Sequence, residues 1–222
     1  MMPTGDRTDK MLRPPMRPPL PAVVPIPPMI ADGVGRAGTD DMVFESTRRG
    51  VKLRLTEHTL SRGRSTIRAN DITDIAFWMP KTGLHRVHVE SSGSAVAFGL
   101  AGRGGGAAAA AARIDYTQVV EWLEQRVIPR LVQSRLSRIG LGLTVRIGRM
   151  ELREAGIRWR GFARSRDLRW SKFDHIVVTR KHIVVITRGS RGRLRQFARL
   201  PLNELNAVLL PILLPAAGNS YR

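Results

Sequence analysis

The chain contains no cysteine. Disulfides, thiolate nucleophiles and cysteine-ligated zinc are excluded, and the composition fits a reducing compartment. Acidic residues are scarce: 18 Asp and Glu stand against 37 Lys and Arg, a formal charge of +19 over 222 residues. Aromatic residues make up only 5%, which leaves few side chains for stacking or for large core contacts. Long apolar runs are missing too. A membrane-spanning helix needs about 20 apolar residues, and the longest uncharged C-terminal stretch, "LNAVLLPILLPAAGNSY", carries two prolines. Prolines also break "LPAVVPIPPMI" near the N-terminus, so no signal-peptide helix is expected there. A soluble or peripheral protein is the expectation.

What remains is basic, and nearly all of it is arginine. Such a charge favours anionic partners: lipid headgroups, an acidic protein, or nucleic acid. A biased coding sequence can also raise arginine, so local clustering carries more weight than the total. Hydrophobic residues reach 42%, enough for packed cores in two small domains or one medium one.

Residues 1–41, rich in proline ("MLRPPMRPPLPAVVPIPPMI"), favour polyproline II and cannot build a core, so they read as a disordered tail. Strand-like alternation begins with "VKLRL", and "TEHTLSRG" reads as a turn and a second strand. "TIRANDITDIAFW" reads as one further strand, then "HRVHVES" and "SAVAFGL" as a hairpin. "AGRGGGAAAAAAR", about 101–112, reads as a low-complexity insert. "DYTQVVEWLEQRV" has helix spacing, with Asp115 and Gln118 as a capping box, and Pro129 is expected to kink or end the helix. The pattern then restarts. "LTVRIGRMELRE" is strand-like, "GIRWRG", "DLRWSKFDHIVV", "HIVVITRG" and "RLRQFARL" follow, and "PLNELNAVLLPILL" is expected to be a helix with Pro201 at its first position.

The two halves align in order. "LTEHTLSRG" matches "LREAGIRWR", "NDITDI" matches "SKFDHI", "VHVESSGS" matches "VVITRGSR", and "IDYTQVVEWL" matches "LPLNELNAVL". One module written twice is the expectation. The fold class is mainly β with C-terminal helices (α+β). The expected division is unit 1 over 42–139, unit 2 over 140–216, and a tail over 217–222.

The second unit, "ELREAGIRWRGFARSRDLRWSKFDHIVVTRKHIVVI" with "FARLPLNELNAVLLPIL", resembles the bacterial pleckstrin-homology (PH)-like domains. The shared pattern is Gly-Ile, then Trp-Ser-x-Phe-x-x-Ile, ahead of hairpins and a final helix. The first unit departs from it at Asn70, where the second has Ser171, and in the insert. The resemblance implies two tandem units, each a bent antiparallel sheet or partly open barrel capped by one helix. It implies a fold and no reaction.

No catalytic constellation is visible. His85 and His88 are three apart on a strand and point to opposite faces, so they cannot share a metal. "GLAGRGGG" lacks both the Gly-Lys-Ser/Thr ending and the G-x-G-x-x-G spacing of phosphate-cradling loops. Asp71 and Asp74 suit turn geometry or pairing with arginine. Trp170 and Phe173 fall where the repeat calls for core. The arginine clusters carry the functional signal: Arg158, Arg160, Arg164, Arg166 and Arg169 in one hairpin region, and Arg188, Arg191, Arg193 and Arg195 in another. Phe162, in the first loop, is the candidate for wedging into a bilayer or stacking on a base. The expected function is therefore a non-enzymatic binding or scaffold protein without cofactor or metal. It would work in a bacterial cytoplasm or at the inner membrane face, contacting an anionic membrane surface or an acidic protein. Nucleic-acid binding is the alternative.

Overall fold

The structure, a computed structural model, describes residues 41–48, 50–78, 84–92, 95–101, 106–162, 164–179 and 181–221, without the side chains of 84, 98–101 and 191. The proline-rich stretch before Asp41 lies outside them, as do 79–83 and the 102–105 part of the glycine run.

Four short strands open the described part: β1 (Met42–Arg48), β2 (Val51–Thr56), β3 (Thr59–Arg62) and β4 (Ser65–Arg68). A single 3-10 turn, Ala69–Asp71, separates them from β5 (Ile72–Trp78), β6 (Leu84–Ser91) and β7 (Ala95–Ala101). Helices α1 (Ala107–Arg126) and α2 (Ile128–Gly140) follow. The order then runs again: β8 (Val145–Ile147), β9 (Met150–Arg153), β10 (Gly156–Arg160) and β11 (Ser165–Arg169), a 3-10 turn at Trp170–Lys172, then β12 (Phe173–Val178), β13 (His182–Arg188), β14 (Leu194–Pro201) and α3 (Leu210–Ser220). Each half holds a four-stranded and a three-stranded antiparallel meander, and none of the sheets closes on itself. The fold is mainly β with helices after the strands. "TIRANDITDIAFW" is therefore two strands and not one, because the 3-10 turn ends one ladder and starts the next. "LTVRIGRMELRE" is likewise a hairpin, turning at Gly148 with φ +54°.

The pairing registers agree with two of the four matches. Leu55 faces Leu60 as Leu152 faces Ile157, and all four are buried. Ile67 pairs with Leu60 as Leu168 pairs with Ile157. Each half also has a register irregularity just after its 3-10 turn, between Ile72 and Asp74 and between Phe173 and His175. One match is corrected. Ile75 pairs with Val89 and Ile176 with Val185, so Val89 corresponds to Val185 and Val87 to Ile183. Aligning "VHVESSGS" with "VVITRGSR" puts buried Val87 on half-buried Val184, a one-residue slip that would exchange the two faces of the strand.

The helices differ more from expectation. α3 starts at Leu210, with Pro211 in its first turn, while Pro201 ends β14 and residues 202–206 form turns. The equivalence of Tyr116, Val119 and Leu123 with Leu202, Leu205 and Leu209 is therefore wrong: the sequence period is right but begins too early. Nor is 217–222 a tail, since Ala217 and Gly218 are buried in α3. In the first half the Ala107–Ala112 run is helix, with Ala109 and Ala112 buried. Alanine loses no side-chain entropy in a helix, and its small side chain lets α1 approach the sheets. Asp115 thus lies within the helix, buried, and its ion pair with Arg48 replaces the expected capping role. Pro129 sits in the first turn of α2, where its missing N–H costs nothing.

Two tryptophans perform one task from different places. Trp170 Nε1, in the second 3-10 turn, donates to Arg153 O at 3.0 Å. Trp122 Nε1, on α1, donates to Thr56 O at 2.7 Å. By register Thr56 is the counterpart of Arg153, and the counterpart of Trp170 is the small Ala69. In the second half it is the helix that is small there: a Cβ on Gly218 would lie 3.2 Å from the Phe173 ring and 3.9 Å from Trp170. Large-from-helix with small-from-turn in one half becomes the reverse in the other.

The described residues belong to one compact unit, and most buried apolar residues of both halves belong to one cluster. α2 joins them. Its Arg130 donates to the carbonyls of Ala69 (3.0 Å) and Ile72, and its Arg135 to Thr73 O at 3.0 Å and Asp74 at 3.3 Å, while the helix also packs on β8 and α3. Asn206, ahead of α3, reaches the β5 edge. Its N–H donates to Ile75 O at 2.7 Å, its Oδ1 accepts from Ile75 N at 3.1 Å, and its Nδ2 donates to Asp74. One residue at φ 63° so satisfies both backbone groups that the edge strand would leave open. Asp74 is held by Arg135 and Asn206, in line with the expected arginine pairing.

Candidate anion-binding face

The sheet β11-β10-β9-β8 turns Val145, Ile147, Met150, Leu152, Ile157 and Leu168 into the core. Alternation puts the intervening residues on the outer face. There Arg146 pairs with Glu151, Glu151 with Arg158, and Arg158 with Asp167, one row of alternating charge across four strands. Arg153 and Arg160 flank the row and Arg169 lies two residues beyond Asp167. Five guanidiniums thus share this face with two carboxylates, Glu151 and Asp167.

Glu151 is the centre of that arrangement, with its side chain only 1% exposed. Arg146 Nε lies 3.1 Å from Oε1, Arg160 Nη2 lies 2.5 Å from the same oxygen, and Arg153 bonds Oε2. Burial opposes ionisation, but the Arg160 charge, the Arg153 hydrogen bond and the Arg153 and Arg146 charges outweigh it and lower the pKa. A lowered folded-state pKa stabilises the protein above the ordinary glutamate range, and the gain is lost as the pH falls through it. The wild type should therefore lose stability as pH drops below about 4.3. Glu151→Gln should cost about 1–3 kcal/mol at neutral pH, since charged hydrogen bonds are lost, and should flatten the acid limb of a pH series of urea melts. An unchanged acid limb would show that Glu151 is not the group titrating.

Eight of the nine predicted arginines divide into three groups. Arg158 is bidentate on Asp167, at 2.7 and 3.2 Å, Arg160 is held by Glu151, and Arg188 bonds Asp174 at 3.0 and 2.6 Å. The Arg158 hydrogen bond lowers the Asp167 pKa, and hydrogen bonds from His175 and then Arg188 lower that of Asp174. Arg166 points the other way. It is paired with Trp159, on the inner face, donates to Phe197 O, and lies over the Phe197 ring at 5.4 Å. Strand alternation thus separates Arg166 from Arg158, Arg160 and Arg169. Arg164, Arg169, Arg193 and Arg195 are exposed and have no ion pair or hydrogen bond from their side chains among the described residues. The Arg191 side chain lies outside the description.

Phe162 is 94% exposed at the tip of the β10–β11 hairpin, closed by Gly161 N donating to Arg164 O at 3.1 Å. Arg149, from the neighbouring β8–β9 turn, sits 4.0 Å over its ring. Trp170 and Phe173 are core, edge to face at 6.3 Å. His85 stacks on Tyr116 at 4.4 Å, and His88 Nε2 lies 2.6 Å from Glu90 Oε1, so the two histidines have separate surroundings. Among the described residues no group of three or more His, Asp or Glu is placed to hold a metal, and no helix is long and apolar enough to cross a membrane.

Arg146, Arg149, Arg153 and Glu151 were not among the sequence candidates. The signal was the Ile-Gly-Arg-Met turn: read as a hairpin, it sets Arg146 directly opposite Glu151. No protein-family model and no curated protein matches the chain.

Proposed function

We propose that the chain is a non-enzymatic binding module of two tandem PH-like units that contacts an anionic membrane surface through its second half. The carrying observation is the outer face of β8–β11, where guanidiniums outnumber carboxylates five to two and a 94% exposed phenylalanine projects from the tip of one of its hairpins. The PH-like reading draws support from the order of four strands, 3-10 turn, three strands and helix, run twice. Unpaired Arg164, Arg169, Arg193 and Arg195 supply long-range attraction, and Phe162 supplies an apolar wedge. Each basic residue near an anionic bilayer contributes about 1 kcal/mol, which gives reversible attachment and not stable anchoring.

Arg164→Ser/Arg195→Ser removes two unpaired charges and breaks no ion pair or side-chain hydrogen bond among the described residues. Its affinity for phosphatidylserine/phosphatidylcholine vesicles should fall about 30-fold, from about 2 kcal/mol. Wild-type binding should weaken steeply with salt as the Debye length drops below about 8 Å. Co-sedimentation reads both. If the variant sediments like wild type, the reading is lost. Binding to single-stranded DNA in place of vesicles would replace it with nucleic-acid recognition through the same face.

A further inference from the structure

Beside the charged row, the outer face holds a second row with a different character. Arg153 pairs with Gly156, and Gly156 with Arg169. Neighbouring strands are about 4.8 Å apart, so two arginines stand about 10 Å apart at their Cα atoms with no side chain between them. A cavity of about 510 Å³ opens here, between the β9–β10 turn, the second 3-10 turn and Tyr221, just after α3. Its wall includes both arginines, Gly156, Ser171 and Tyr221.

A further observation points to a ligand: the Arg169 guanidinium is exposed and has neither ion pair nor hydrogen bond among the described residues. In the first half the matching row is Thr56, Thr59 and Arg68, and the two threonine hydroxyls bond each other at 2.8 Å. Two arginines across a glycine thus belong to the second half and are not a general property of the repeat.

We propose that this cavity seats a phosphate monoester group between Arg153 and Arg169, with the Ser171 and Tyr221 hydroxyls as further donors. Guanidinium forks match phosphate oxygens in geometry and charge. Two carboxylates also line the cavity. Asp167 is already neutralised by Arg158, and Glu154, exposed on the turn, restricts the seat to groups small enough to stay on the Arg153–Arg169 side. The proposal deepens the anion-binding reading and rests on it, but the phosphate can come from a lipid headgroup or a free metabolite.

The test is an NMR titration of the full chain with inorganic phosphate at constant ionic strength, run beside vesicles of phosphatidic acid in phosphatidylcholine. The expected result is saturable shifts confined to the amides of 153–158 and 167–171. Arg169→Ser should weaken phosphate binding about tenfold or more, the loss of one charge-assisted contact. Arg199→Ser, outside the cavity, should leave it unchanged. Equal effects of both variants, or shifts spread over the basic surface, would overturn the proposal. Phosphate binding without vesicle binding would support the cavity with a soluble ligand and remove the membrane reading. Vesicle binding without phosphate binding would remove the cavity and leave the membrane reading standing.

Discussion

Trp170→Ala is expected to lower the unfolding free energy by about 3–5 kcal/mol. The side chain is 1% exposed, packs edge to face on Phe173, and donates to Arg153 O. Truncation leaves a cavity beside α3 and an unpaired carbonyl. Trp122→Ala should cost a similar amount for the same reason, since Trp122 is 3% exposed and donates to Thr56 O. For a chain of this size each should move the melting midpoint by about 6–20 °C. Because the halves share one buried cluster, bridged by α2 and Asn206, both variants should shift one common transition. Calorimetry decides this. Two transitions, each moved by only one of the variants, would show halves that melt independently and would contradict the shared core.

Gly156→Ala should be nearly as damaging although it adds one methyl. The residue has φ +144°, and a Cβ there would lie 2.1 Å from Leu168 O and 3.0 Å from Arg169 Cα. Both obstacles are backbone, so no rotamer change relieves them. Conformational strain of about 1–3 kcal/mol adds to an overpacking cost of about 1–3 kcal/mol. Its counterpart Thr59 carries a side chain at the same register, so the matching Thr59→Ala should lose mainly its bond to Thr56, about 1 kcal/mol. Denaturant melts of the two variants should differ clearly in midpoint. Equal midpoints would mean that β10 and β11 approach less closely than described.

The strands were legible because alternation needs only a period of two, and Leu55, Leu60, Leu152 and Ile157 announce it locally. "NDITDI" and "SKFDHI" were correctly paired because the first two residues of each lie in a 3-10 turn and the third, Ile72 or Phe173, is buried at the start of the next strand. The α3 boundary was misplaced because Leu202 and Leu205 continue the helical period through turns that Asn206 ends in a left-handed conformation. The alanine run was misread because low complexity masks high helix propensity.

For the site, the sequence by itself supplied the excess of arginine, its concentration in the second half and the lone Phe162 in a loop. Charge and composition are additive properties of the chain. They could not say which arginines are free. That depends on which carboxylate faces which guanidinium, and in a meander those partners come from neighbouring strands whose register the sequence does not state. Only the tertiary structure put Glu151 under three arginines, turned Arg166 to the opposite face, and left Arg153 and Arg169 on either side of a glycine. The same holds for the union of the halves: Asn206 and the edge of β5 are 131 residues apart, and nothing local to either segment marks the other as its partner.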